Sequence, residues 1–539
     1  MSKLKLIFGT YNSKPVGSYD YQFEEAYQKA YKPFLTSLNE FQNIQVVLHY
    51  SGILLKWFEE KHPEFLMLIN DMVERKQVEL IGGGFYEPVL SIIPGKDRVG
   101  QIEHLTTFLR RRFGRRPRGC WIPLRAWEPA LTSSIKSSGM DYIFLDDRHF
   151  LGAGLRGKDL FVPCLTEDQG KVLTVYPISS RFRTMVPYEN PEILVNSLLA
   201  LKDWDEDTVI SIIEDGDKFG LQKDGSLHGE QSWVHEFFRL LSEHLDALTT
   251  ILPSRYSRTK PGLKKVYLPG LSCEELSASV LEPVQRREYQ IVFNKYKDTE
   301  KEAFVQGGYF RQFLSRYPES NLLYAKMMYT STLVNQVRSD KSRKKTAREE
   351  LWKGQANSPY WHGRNGGLYE NHLRKFAYSS LIEAEKLTRE RGIFKPSLFY
   401  LDFDMDGENE YLFQGTLINA YVHRRGGTLF ELDYLPSSWN YLDTMSRYRE
   451  DTDGSSYPVD TYCRKGFIDH FFDPMTTIDQ FDSMKYEELG DSVQGEYSLS
   501  SMEREKGEVL FSFQAKFGKG KASIGLSKRY RFRQNSIEV

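Results

Sequence analysis

The residues of this chain best placed to do chemistry are acids that follow apolar, strand-like runs. Asp215 comes just after the run 209–213 and precedes Gly216, whose missing side chain would let the backbone turn sharply behind the carboxylate. Such a residue can lend or take a proton, although an Asp-Gly pair also serves as a plain turn. Glu87 sits in Gly82-Gly83-Gly84-Phe85-Tyr86-Glu87-Pro88. The glycines permit close backbone approach and the two aromatics could line a pocket, so Glu87 suits hydroxyl binding; an exposed glutamate on a tight turn is the plain alternative. Asp147 and His149 lie in Asp146-Asp147-Arg148-His149-Phe150, and Trp361 and His362 in Tyr360-Trp361-His362-Gly363. Either histidine could contact a ligand, though a hydrogen-bonded structural histidine is the commoner role. Two carboxyl groups about 5–5.5 Å apart, one a nucleophile and one a proton shuttle, would support retaining cleavage of a glycosidic bond.

Groups this far apart in sequence can cooperate only if the fold gathers strand ends on one rim. Up to about residue 270, short apolar runs alternate with amphipathic helical stretches, which predicts a parallel α/β domain. Strands are expected over 4–8, 44–48, 78–81, 120–122, 142–145, 172–176 and 209–213. Helices include 103–113, closed by Gly114, and 130–138, closed by Gly139. Seven such units suggest a distorted TIM-like β/α barrel, with its site built from loops at the C-terminal strand ends. Residues 1–282 are assigned to this barrel, and 283–395 to a helical region packed on it, with helices over 309–317, 320–337 and 373–389. Residues 396–539 read as a β-sandwich-like domain with strands over 411–414, 428–432, 508–513 and 529–533. Because the chain stops at Val539 soon after a strand, this domain is expected to be incomplete.

Composition narrows the partners. Lys and Arg number 72 against 73 Asp and Glu, and the net charge of −1 makes no electrostatic case for nucleic acid or an anionic membrane. The basic runs 110–118 and 341–345 read as solvated helix faces. A neutral partner is expected, and the 14% aromatic content offers flat faces for sugar rings as well as for a core. The scattered cysteines Cys120, Cys164, Cys273 and Cys463 fit a reducing compartment. The opening residues carry too short an apolar run for a signal peptide, and no segment has the length of a membrane span. These features predict a cytoplasmic protein and leave the oligomeric state open.

The segment Trp121-Ile122-Pro123-Leu124-Arg125-Ala126-Trp127-Glu128-Pro129, taken with 82–90, 146–150, 166–168, 215–220, 307–318 and 360–374, resembles glycoside hydrolase family 57 on the branch of the 4-α-glucanotransferases and α-amylases. The resemblance runs from about Lys5 to beyond Asp469. It implies a seven-unit barrel, a helical region and a C-terminal β-sandwich, an α-1,4-glucan or maltooligosaccharide as partner, and no required cofactor. It puts the family's acid/base on Asp215 and a substrate-binding glutamate on Glu87. The nucleophile of the family's Trp-x-x-Glu-Arg-x-Trp-Glu-Pro pattern falls on Leu124. A His-x-His-Gln-Pro motif appears as Tyr11-Asn12-Ser13-Lys14-Pro15, and the acid of Asn-Asp-Ala-Tyr-Trp-His-Gly as Ser358.

Loss of a carboxylate that forms a covalent intermediate removes a whole step, at a cost of several powers of ten in rate, each worth about 1.4 kcal/mol. A family member with weak or no turnover is therefore expected. Two alternatives stand beside it. One is a maltodextrin-binding or regulatory protein in which Trp121, Trp127, Tyr86 and Trp361 stack on glucose rings while Asp215 and Glu87 bind hydroxyls. The other is an enzyme that uses water and Asp215 with inversion. Glu128 is expected to be committed to structure rather than to replace the nucleophile.

Asp402-Phe403-Asp404-Met405-Asp406-Gly407 has the alternating acids and central glycine of a calcium loop, although Phe413 stands where the loop's last glutamate belongs. Asp402, Asp404 and Asp406 are the candidate ligands of a structural calcium remote from the sugar site. A solvated acidic turn is the alternative.

Overall fold

Val-, Ile- and Phe-rich runs buried on both faces form the first sheet, as expected for parallel strands covered by helices. Its strands are β1 (Leu4–Asn12), β2 (Val46–Tyr50), β3 (Val78–Leu80), β4 (Gly119–Cys120), β5 (Tyr142–Asp146), β6 (Cys164–Asp168), β7 (Lys171–Ile178), β8 (Val209–Asp215) and β9 (Leu248–Thr250). The computed structural model describes the chain except for residues 1–2, 202–207, 222–231, 260–262, 298, 300, 339, 364–365, 391, 451–456 and 518–521.

Seven parallel strands follow the order β3-β2-β1-β8-β7-β5-β4. The two edges meet where Gly82 N donates to Gly119 O and Trp121 N to Gly82 O, each at 2.8 Å, so the sheet closes as a near-barrel. Two strands were not anticipated. Strand β6 pairs antiparallel with β7, and β9 runs parallel to β1 along Leu4–Leu6. Helix Gly95–Phe113 ends at Gly114, whose φ of 66° is the left-handed cap that glycine supplies without strain.

The chain forms two compact units, one of residues 1–280, 288–310 and 355–357, the other of 281–287, 311–354 and 358–539. Helices Pro318–Gln336, Lys341–Gly354 and Asn371–Thr388 belong to the second unit. The helix expected over 309–317 is only Gln312–Arg316. Two antiparallel sheets follow: β10 (Ser397–Leu401), β11 (Glu410–Gln414), β12 (Ile418–His423), β13 (Thr428–Tyr434) and β14 (Trp439–Asn440), then β15 (Ser498–Glu503), β16 (Glu508–Phe517), β17 (Ala522–Phe532) and β18 (Ile537–Glu538). Leu398, Phe413 and Val422 of the first sheet share a core with Val509, Phe511 and Tyr530 of the second. Lys326 is fully buried in this unit, with its Nζ 2.6 Å from Asp433, 3.0 Å from Glu385 and 3.2 Å from Glu431. Among the described residues, no helix is long and apolar enough to cross a membrane.

Candidate functional site

Strand register assembles the site. Tyr11 is paired with His49 on one side and with Asp215 on the other, so the C-terminal ends of β2, β1 and β8 present three polar side chains in a row. Asp215 is partly buried, and its Oδ1 accepts Asp217 N at 3.0 Å. Desolvation, reinforced by the charges of Asp217 and Glu214, pushes its carboxyl from 3.8 up to about 7. A carboxylic acid in that range holds a proton near neutral pH, as a general acid must. Lys14 and Tyr31 hold Asp217 at 2.6 Å each, and Lys218 pairs with the fully buried Glu214 at 3.0 Å. The role of Gly216 differs from the turn expected of it. A Cβ there would lie 1.8 Å from Asn12 Oδ1, so glycine is required for close approach to the asparagine whose Nδ2 donates to His49 O at 2.8 Å.

Glu87 is only 6% exposed, which excludes the exposed-turn alternative. His49 Nε2 lies 2.8 Å from its Oε1, and its backbone oxygen accepts Asn357 Nδ2 at 2.6 Å. Sequence reasoning missed His49. The available signal was a lone imidazole in the otherwise apolar Val46–Tyr50 strand.

Leu124 sits past β4 in a 3₁₀ turn with φ 58° and ψ 8°, followed by Arg125 at φ 46°. Consecutive left-handed non-glycine residues mark a strained segment that its surroundings over-determine. Leu124 O accepts Cys273 N at 2.9 Å. Arg125 is buried against Asp146, with Nε 3.1 and 3.2 Å from the two carboxylate oxygens, and lies 3.7 Å from Glu275. Arg183 continues the network, 3.3 Å from Glu275 and 3.4 Å from Glu214. An ionic chain therefore links the residue after Leu124 to the residue before Asp215. Glu128 accepts Tyr309 Oη at 2.6 Å and is engaged where it stands.

Several of the expected ligand contacts lie inside the fold. Trp121 is 1% exposed with Tyr11 stacked on it at 4.4 Å, Trp127 is fully enclosed, and Tyr86 is 3% exposed. None of these three presents an open face to a sugar ring. His149 is fully buried, with Nδ1 3.0 Å from Asp146 O and Nε2 3.3 Å from Leu271 O, and burial drives it down to about 4. Both of its ring nitrogens face backbone carbonyl oxygens. Asp147 accepts Ser180 N at 2.8 Å and Ser180 Oγ at 2.6 Å, and desolvation raises it to about 6. With Arg148, Phe161, Phe293 and Lys297 it lines a cavity of about 730 Å³ beyond β5 and β7. Trp361 and His362 belong to the second unit, where Trp361 is buried and His362 Nε2 lies 3.8 Å from Glu450. In the acidic loop Asp402 Oδ2 accepts Gly407 N at 3.2 Å, while Asp404 and Asp406 converge with Glu410 and His423.

A β/α barrel with acids gathered at the C-terminal strand ends has its polar groups where barrel enzymes build their sites. The chain belongs to glycosyl hydrolase family 57, whose model matches residues 3–269. The middle and C-terminal domains of the alpha-amylase/4-alpha-glucanotransferases match 308–388, and 402–451 with 456–539. The chain is 35% identical to a 4-alpha-glucanotransferase of Thermococcus kodakarensis, over 93% of this chain and 80% of that protein. It is 34% identical to an alpha-amylase of Pyrococcus abyssi, over 92% and 79%. The crystal structure of 4-alpha-glucanotransferase from Thermococcus litoralis matches with a TM-score of 0.91 at 32% identity, covering 100% of this chain and 84% of that one.

Proposed function

We propose that this protein is an α-1,4-glucan-directed member of its family that binds maltooligosaccharide with weak or no turnover. The observation that carries the reading is Leu124: an aliphatic side chain on a strained left-handed turn, at the position the family motif gives to the nucleophile. A left-handed backbone costs an L-residue about 1–2 kcal/mol, and the leucine side chain has no polar atom with which to hydrogen-bond in return. Asp215, lifted to about 7, can still protonate a leaving oxygen, but leucine cannot accept the glycosyl carbon. Glu128, already bonded to Tyr309, does not fill the gap. The glucan class rests on the relatives, which are named as 4-alpha-glucanotransferases and alpha-amylases.

Titration calorimetry with maltoheptaose tests the binding half of the proposal. A saturable heat is expected for the native chain, and its loss in an Asp215→Ala/Glu87→Ala double variant that remains folded. Absence of binding by the native chain overturns the reading.

A further inference from the structure

The second unit holds a cluster that sugar chemistry does not use. Glu410 opens β11, His423 ends β12, and Asp404 and Asp406 lie on the turn between β10 and β11. One ligand atom from each falls within 4.8 Å of the others. His423 Nε2 is 3.4 Å from Glu410 Oε1, 3.6 Å from Asp406 Oδ2 and 3.7 Å from Asp404 Oδ2. Glu410 is fully buried; its Oε2 accepts Phe403 N at 2.7 Å, but Oε1 has no hydrogen-bond partner and faces the cluster. Asp404 Oδ1 is likewise buried without one. The cation at the edge, Arg425, comes only to 3.9 Å of Asp406. Buried carboxylate oxygens left this poorly matched are costly.

We propose that Asp404, Asp406 and Glu410 form a site for an oxygen-seeking divalent cation of the calcium class, with His423 as its wall. Three carboxylates suit a hard cation, and oxygens about 2.3–2.6 Å from a central ion would span up to about 5 Å across it. His423 Nδ1 accepts Arg425 N at 2.8 Å, so the neutral ring carries its proton on Nε2 and offers the cluster no lone pair. That argues against a zinc-class site. Asp404 and His423 also line a cavity of about 360 Å³ with Arg425, Thr428 and Tyr448, which gives an ion a way in. Asp402 lies outside the set, since its carboxylate holds the turn.

The test is calorimetric titration of chelator-stripped, full-length protein with calcium, manganese or zinc chloride alone, together with thermal unfolding. Saturable calcium or manganese binding and a raised Tm are expected. Glu410→Gln and Asp406→Asn should each weaken binding about tenfold or more, and Asp402→Asn by less than about threefold. Asp406 is partly exposed, so its variant keeps the test decisive if Glu410→Gln does not fold. No binding of any of the three cations up to about 5 mM overturns the site. Zinc binding more tightly than calcium, or Asp402→Asn losing as much as Glu410→Gln, overturns the ligand assignment.

Discussion

Leu124→Glu supplies the group whose absence defines this account. The backbone at 124 already has φ 58° and ψ 8°, a conformation that burdens glutamate no more than leucine, and the side chain is only half-buried. The exchange should therefore cost no more than about 1–2 kcal/mol of stability. Arg125 is tied to Asp146 and Glu275 and should stay in place. A correctly placed carboxylate would reopen the covalent route, and regaining about four powers of ten in kcat corresponds to about 5.5 kcal/mol off the barrier. Asp215 sets the pH profile. With its carboxyl near 7, glycosyl transfer should be fastest below that pH and fall about tenfold per unit above it. The assay is chromatography of maltoheptaose products, with NMR of the anomeric proton to show retention. A folded Leu124→Glu chain no faster than the native one, or a native chain already as fast, refutes the reasoning. Leu124→Ala with azide gives an independent check: azide in the vacated space should attack the anomeric carbon as Asp215 protonates the departing oxygen, leaving a β-glucosyl azide.

Three further outcomes are expected. The raised carboxyl of Asp215 makes the native state bind more protons than the unfolded chain between about pH 4 and 7, so its contribution to stability declines across that window; Asp215→Asn should match the native chain at pH 4 and exceed it at pH 8 by urea midpoint, whereas a pH-independent difference refutes the assignment. Gly216→Ala should force Asn12 off its bond to His49, weaken maltoheptaose binding by about tenfold and cost about 1–3 kcal/mol in denaturation; unchanged affinity removes Asn12 and His49 from the site. Lys326→Met leaves Glu385, Glu431 and Asp433 around an apolar chain and should destabilise the second unit by about 3–5 kcal/mol, read as a lowered unfolding midpoint; a loss below about 1 kcal/mol contradicts that role.

Local pattern carried most of the barrel. Runs such as 209–213, apolar except at Ser211, are as continuous as a strand buried on both faces requires. Strand β6 escaped because Thr166, Glu167 and Asp168 read as a polar motif, though paired with β7 they form an antiparallel edge. Asp215 and Glu87 stood out because each lies beyond a strand, Asp215 next to Gly216 and Glu87 shortly after Gly82-Gly83-Gly84. His49, the stack of Tyr11 on Trp121 and the Arg125 network did not, since they depend on register between strands far apart in sequence. The burial of the tryptophans was hidden for a related reason. A Trp beside a candidate site has the same composition signal whether its face is open or, as with Trp127, enclosed by the chain around Leu271. Glu410 and His423 were likewise hidden, because spacing within the acidic loop pointed to Asp402, whose oxygen is spent on the turn.

The central claim is that glucan binds here with weak or no turnover, and the most direct measurement is chromatography of end-labelled maltoheptaose after a short incubation with catalytic amounts of native protein. The account predicts that the label remains on seven-unit chains while calorimetry shows binding. New chain lengths, shorter or longer, that disappear in the Asp215→Asn variant would contradict it.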